Sequence, residues 1–226
     1  MMAEISKSNL VVSKIVQVQL AAEALVDRNV PAAGADGQVV YSVQGDALAA
    51  ALVFGNDRAS KFTAPAAKEF ASQCELVEQK ASTSTGFSGT LFKYIGPDDP
   101  ASGLKTNQYV LSFRSTEFID DYARDNAATN TLEVKAGGFA YGQIADMEEW
   151  WKTLKASYPD MSSVSVTGYS LGGNLATSFA FLRKGEGAAN PVAVKEVYTF
   201  NGAGIGIADG KVKGSSGRPL TISDFS

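Results

Sequence analysis

No histidine occurs anywhere in the 226 residues, and there is a single cysteine, Cys74. The first absence excludes His-ligated zinc, haem and copper sites. It also removes the side chain that most often serves as general base near neutral pH. The second excludes an internal disulfide framework and any Cys-clustered metal site. Long apolar runs are missing too. The longest, Ala47 to Phe54, has eight residues, against the ~20 that a membrane-spanning helix needs. The opening MMAEISKSNLVVSK places Glu4, Lys7 and Lys14 where a secretory leader requires an uninterrupted apolar core. Neither a Sec signal nor a transmembrane segment is expected, and no stable membrane insertion. An export signal C-terminal to residue 226 would place the protein outside the cell; the alternative is a cytoplasmic location. Cationic excess is absent as well: 20 Lys and Arg against 24 Asp and Glu leave a net charge of −4. That gives no electrostatic footing for nucleic acid.

What is present suits a packed domain, with 45% hydrophobic and 19% charged residues. Ile5 to Arg28 reads as a helix with Ile5, Val12, Ile15, Val16, Leu20 and Val26 on one stripe, followed by a breaker-rich loop over Pro31–Gly37. Asp46 is placed to cap a short helix through Phe54, and Thr63-Ala-Pro65 to start another reaching Gln73. Glu75–Ala81, Gly86–Ile95 and Gln108–Phe113 alternate and are rich in Val, Phe, Tyr and Thr, which predicts strands. The last two are joined across Gly96–Pro100 as a hairpin. From about Gly138 helices and strands alternate. Ile144, Met147, Trp151, Leu154 and Tyr158 form a helical stripe closed by Pro159, with Trp150 beside it and partly exposed. Val164-Ser-Val166 predicts a strand, Leu171 to Leu182 a helix, and Glu196–Asn201 another strand. That order predicts parallel strands with a right-handed crossover. The expected organisation is a helical N-terminal segment over 1–37, then an α/β domain over 38–226.

Gly168-Tyr-Ser170-Leu-Gly172 matches G-x-S-x-G, following a predicted strand and opening a small-residue helix, GGNLATSFAF. That setting is what a nucleophile elbow requires: the serine sits in a tight strand-to-helix turn with its hydroxyl exposed at the sheet edge. Gly168 and Gly172 are needed because side chains there would strike the neighbouring strand and helix. The Leu171 N–H, at the helix start, faces where an acyl oxyanion would develop. The plainer alternative is a glycine-rich turn with an ordinary surface serine.

These residues resemble the class 3 lipases of the α/β-hydrolase fold. Tyr109-Val-Leu-Ser-Phe-Arg-Ser-Thr116-Glu is similar to that family's strand ending in Phe-Arg-Gly-Thr/Ser. Val166 to Ala176 is similar to its elbow, and Val197-Tyr-Thr-Phe-Asn-Gly-Ala-Gly204 to its next strand and loop. Thr85-Gly-Phe-Ser-Gly-Thr-Leu-Phe92 is similar to a bacterial branch of extracellular lipases and esterases, some with calcium-binding repeats further on. The resemblance implies an α/β-hydrolase-type sheet with flanking helices and a serine carboxylic ester hydrolase, a lipase, esterase or phospholipase A1. Its substrate would be an ester or lipid and it would need no cofactor. By the same resemblance Ser170 is the nucleophile, and the N–H groups of Leu171 and Thr116 are the oxyanion donors. Two positions depart from the family pattern. Ser115 stands where Phe-Arg-Gly has glycine, and Tyr169 replaces the common histidine before the serine.

Other motifs have plain readings. Ser102-Gly-Leu-Lys105 fits S-x-x-K but lies in a Gly/Pro-rich loop. Asp120, Asp121 and Asp125 lack the glycine and distal glutamate of an EF-hand and read as a solvated helix start. Gly202-Ala-Gly-Ile-Gly206 reads as a loop at the sheet edge lining a cleft. Glu117 to Ala136, where the resemblance places a lid, is polar, so weak or absent interfacial activation is expected.

The missing base is the main difficulty. Loss of a triad histidine can cost on the order of 10⁶ in turnover. The acid and histidine follow the serine in α/β-hydrolases, and downstream of EVYTFNGAGIG only Asp209 and Asp224 are acidic. Asp209 is too near the Gly-rich loop, and Asp224, the remaining candidate, reads as part of a helix start. The expectation is that both partners lie beyond Ser226, leaving the sheet unfinished beside EVYTFN. The competing expectation is an inactive fragment or a non-catalytic module that keeps the pocket as a binding site.

Overall fold

The computed structural model describes residues 7–25, 39–55, 61–98, 104–115, 140–186 and 191–203. Among them six strands and five helices give a mixed α/β architecture. The chain divides into two compact units, Met1–Ala81 with Gly89–Ser112, and Ser82–Ser88 with Phe113–Ser226.

The first unit holds α1 (Lys7–Ala24), β1 (Val39–Val43), α2 (Gly45–Phe54), α3 (Ala64–Gln73), β2 (Cys74–Lys80), β3 (Gly89–Tyr94) and nearly all of β4 (Tyr109–Phe113). β1 runs antiparallel to β2 with Val43 opposite Leu76, and β2 antiparallel to β3 with Cys74 opposite Tyr94. β1 was not foreseen. Its five residues, VVYSV, follow the breaker-rich loop and become a strand by pairing with β2. Tyr94 N–H donates to the Gln108 carbonyl and Asn107 N–H to the Tyr94 carbonyl, both at 2.8 Å, which ties the end of β3 to the start of β4. Phe92 is fully buried and meets Phe70 edge-on at 5.6 Å between ring centres.

Two sequence expectations in this unit are corrected. Of the expected stripe, Ile15 is buried, Val16 half-buried and Leu20 45% exposed, while Ile5, Val12 and Val26 lie outside the residues whose burial is described; Val18, Ala22 and, just past the helix end, Leu25 are buried instead. Ile15, Val18, Ala22 and Leu25 repeat at helical spacing, and Ala21 and Ala24 beside them are buried too. Asp46 does not cap α2. Gln44 occupies the cap position without a side-chain bond, and Asp46 lies inside the first turn, where its charge still favours the helix start. Thr63 does stand at the cap of α3, with Pro65 in its first turn.

The second unit is built from α4 (Tyr141–Ser157), β5 (Ser163–Tyr169), α5 (Leu171–Glu186) and β6 (Ala193–Phe200). β5 and β6 are parallel, with Val164 opposite Val194 and Tyr169 opposite Phe200. Parallel strands need a crossover, and α5 supplies it. Ile144, Met147, Trp151 and Leu154 are buried along α4, as their spacing predicts. Tyr158 lies just past the helix end, half-buried, its N–H on the Leu154 carbonyl. Trp150, expected to be partly exposed, is buried because Phe87 packs its ring 5.9 Å away. Phe87 belongs to the segment 82–88, and no periodicity in α4 could reveal it.

Two contacts fix α5 against α4. Trp151 meets Phe179 edge-on at 4.9 Å, and the buried Arg183 guanidinium pairs with Glu148 at 2.5 Å while lying over the Phe179 ring. Burial raises the Glu148 carboxyl above its ordinary range, against the pull of Arg183. β6 is the last strand of the described sheet, and Val197 on it is 38% exposed. The expectation of an unfinished sheet concerns residues outside those described. Among the described residues, no helix is long and apolar enough to cross a membrane.

The Ser170 turn as a candidate active site

Ser170 joins the end of β5 directly to the start of α5, with no intervening loop. So abrupt a reversal requires an unusual backbone, and Ser170 has φ +53°, in the left-handed region that non-glycine residues rarely enter. Such a residue costs on the order of 1–3 kcal/mol and persists only where its surroundings over-determine it. Here the surroundings are visible. The Ser170 N–H donates to the Phe200 carbonyl at 3.0 Å, and its own carbonyl accepts from Gly173 and Ala203 N–H, each at 3.0 Å. The turn is therefore clamped to the end of β6.

Close packing explains the flanking glycines. A Cβ on Gly168 would lie 2.0 Å from the Gly172 carbonyl oxygen, and one on Gly172 2.3 Å from the Phe113 carbonyl oxygen. Gly173 would bring a Cβ to 2.6 Å from Gly202 Cα. Thus the β5 end, the first turn of α5, the β4 end and the residues after β6 converge at backbone-to-backbone distance. The sequence pattern indicated Gly168 and Gly172; Gly173 and Gly202 were missed as a packed pair. A double glycine at the helix start was the available signal.

Ser170 is half-buried between Tyr169, 42% exposed, and Leu171, 2% exposed. Among the described residues, none hydrogen-bonds to its hydroxyl. The Leu171 N–H is the first of α5, so it has no acceptor within the helix and lies at the positive end of the helix dipole. Ser170 and Leu171, consecutive in the chain, stand at the junction of β5 and α5, with Gly168 and Gly172 packed beside them. Thr116, the other expected donor, lies outside the described residues; Ser115, next to it, is half-buried at the end of β4. Asp209, Asp224, Ser102, Asp120, Asp121, Asp125, the Glu117–Ala136 segment and Gly204–Gly206 also lie outside. Lys105 is engaged by Asp98 at 3.0 Å on an exposed loop, in keeping with the plain reading of its motif.

No protein-family model, curated protein or solved structure matches this chain.

Proposed function

We propose that the chain is a serine carboxylic ester hydrolase of the class 3 lipase kind, acting through an acyl-enzyme on Ser170. The observation that carries this reading is the left-handed backbone of Ser170 between β5 and α5, held by glycines whose replacement would collide with backbone. In the proposed reaction Ser170 Oγ attacks the ester carbonyl carbon while its proton passes to a base. The oxyanion is held by the N–H groups of Leu171 and Thr116. The tetrahedral intermediate collapses, the C–O bond to the alcohol breaks, and the alcohol departs with a proton. Water then attacks the acyl group in the same way and releases the acid.

No histidine can serve as that base within these 226 residues. The reaction needs a proton acceptor, and added imidazole is the direct way to provide one. Hydrolysis of p-nitrophenyl butyrate should rise with imidazole above the solution reaction and vanish in Ser170→Ala. Mass spectrometry should place the trapped acyl group on Ser170. Turnover that survives Ser170→Ala overturns the reading. The zero histidine count favours a second reading, a non-catalytic ester-binding module. It predicts saturable binding of the ester without Ser170 acylation even when imidazole is present.

A further inference from the structure

The segment 82–88 has neither helix nor strand, yet Ser82, Phe87 and Ser88 are buried. Its turn is closed by the Thr83 N–H on the Phe87 carbonyl and the Gly86 N–H on the Thr83 carbonyl, at 2.9 and 3.0 Å, and one carboxylate ties it to α4. Thr83 Oγ1 and Thr85 Oγ1 both donate to Asp146 Oδ2, at 2.6 and 2.5 Å. Each hydroxyl has one proton, so with both directed at Asp146 the two oxygens, 3.0 Å apart, are bridged by the carboxylate rather than by each other. The Thr83 oxygen then accepts the Phe87 N–H at 3.2 Å, and Gln143 Nε2 donates to the Thr85 carbonyl at 3.2 Å.

From there the path leads to the elbow. The Ser88 carbonyl accepts the Arg114 N–H at 3.3 Å, which fixes the end of β4. The Phe113 and Arg114 carbonyls are the atoms that a Cβ on Gly172 would meet, at 2.3 and 2.6 Å. Gly172 is two residues from Ser170, and Ser115 and Thr116 continue directly from Arg114. Asp146 is thus linked, through the threonine pair and a single backbone hydrogen bond, to the strand end that packs on Gly172.

We propose that Asp146 is a positioning residue for the Ser170 turn, acting through the β4 end that packs on Gly172. It holds the 82–88 segment so that the Phe113–Arg114 backbone is presented at a fixed distance from Gly172. This inference rests on the ester-hydrolase reading of Ser170. Misplacement of reacting groups by about 1 Å can cost on the order of 10²-fold in rate, so a small slackening of this path would be felt in turnover.

The test combines amide hydrogen exchange with imidazole-assisted ester turnover in Asp146→Ala, Asp146→Asn and Leu154→Ala. In Asp146→Ala, exchange at the Phe87 and Arg114 amides should speed up about tenfold or more relative to Val166 in β5, a preferential local opening. Asn keeps an acceptor oxygen for the threonines and should restore most of that protection. Leu154→Ala truncates the core on the same helix and should move all these amides together. In turnover, Asp146→Ala should lower kcat about 10- to 100-fold with KM changed little, and Asp146→Asn should recover it. If the Arg114 amide stays protected in Asp146→Ala, or loosens only in step with Val166, the inference is overturned. So is it if Asp146→Ala keeps wild-type kcat while Ser170→Ala is inactive, and in that case the nucleophile assignment stands. Turnover that persists in Ser170→Ala removes the nucleophile reading and this inference with it. If no variant turns over, exchange at Arg114 relative to Val166 decides the point.

Discussion

The two units of this chain are organised by different means. In the first, antiparallel strands and three helices are held by side chains: Phe92 on Phe70, Leu76 opposite Phe92, and an α1 face of Ile15, Val18, Ala22 and Leu25. In the second, at the elbow, backbone meets backbone, and the informative residues are those with no side chain at all. A side-chain core tolerates substitutions of similar volume. A backbone junction tolerates none at Gly168 or Gly172, and it brings polar groups and helix ends together in a way that an apolar core does not.

That contrast can be pressed with substitutions. The largest stability loss is expected from Phe92→Ala in the first unit, about 3–5 kcal/mol by urea unfolding. If the units differ as described, p-nitrophenyl butyrate should still acylate Ser170 in whatever fraction remains folded. Gly172→Ala comes next, at about 1–3 kcal/mol, but with acylation of Ser170 abolished, because the Phe113 carbonyl must move. A Gly172→Ala variant that retains acylation breaks the comparison. Gly185→Ala on the same helix has the opposite sign. An added Cβ there meets nothing within 4 Å, and replacing a helical glycine should stabilise by about 0.5–1 kcal/mol. A loss at position 185 would show that every glycine of α5 is structural, not only those at its start.

The smallest effect concerns Asp98 on an exposed loop of the first unit. The Thr106 backbone N–H, then Lys105, hold its carboxyl below the ordinary value of 3.8. A lowered folded-state pKa adds stability above the unfolded value, and that stability is lost as pH falls through the folded value. The small advantage of wild type over Asp98→Asn should therefore shrink as pH is lowered from about 6 to about 3. An advantage that stays constant across that range would show the loop bonds to be independent of charge.

The elbow was legible because its signal is local: a strand, five residues and a helix within one stretch, with the glycines where backbone crowding demands them. The α4 stripe was legible for the same reason. Trp150 was misjudged because the ring that covers it, Phe87, is distant in sequence and carries no periodicity. The Asp146–Thr83–Thr85 cluster was missed likewise, since its members lie 61 and 63 positions apart. Nothing in the sequence marks the buried Arg183–Glu148 pair, and only the packing of α5 on α4 encloses it. In α1 both Leu20 and Val18 are apolar, and the choice of face is made by the neighbours, not by the helix.

One consequence of the Ser170 backbone reaches beyond structure to selection. A residue at φ +53° is one where glycine would relax the chain and asparagine would be better tolerated than serine. Any search among variants for heat resistance alone would tend to replace Ser170 and would report the replacement as an improvement. On the proposed ester-hydrolase reading, serine is kept at this position for its hydroxyl. On that reading durability and reactivity pull this single codon in opposite directions.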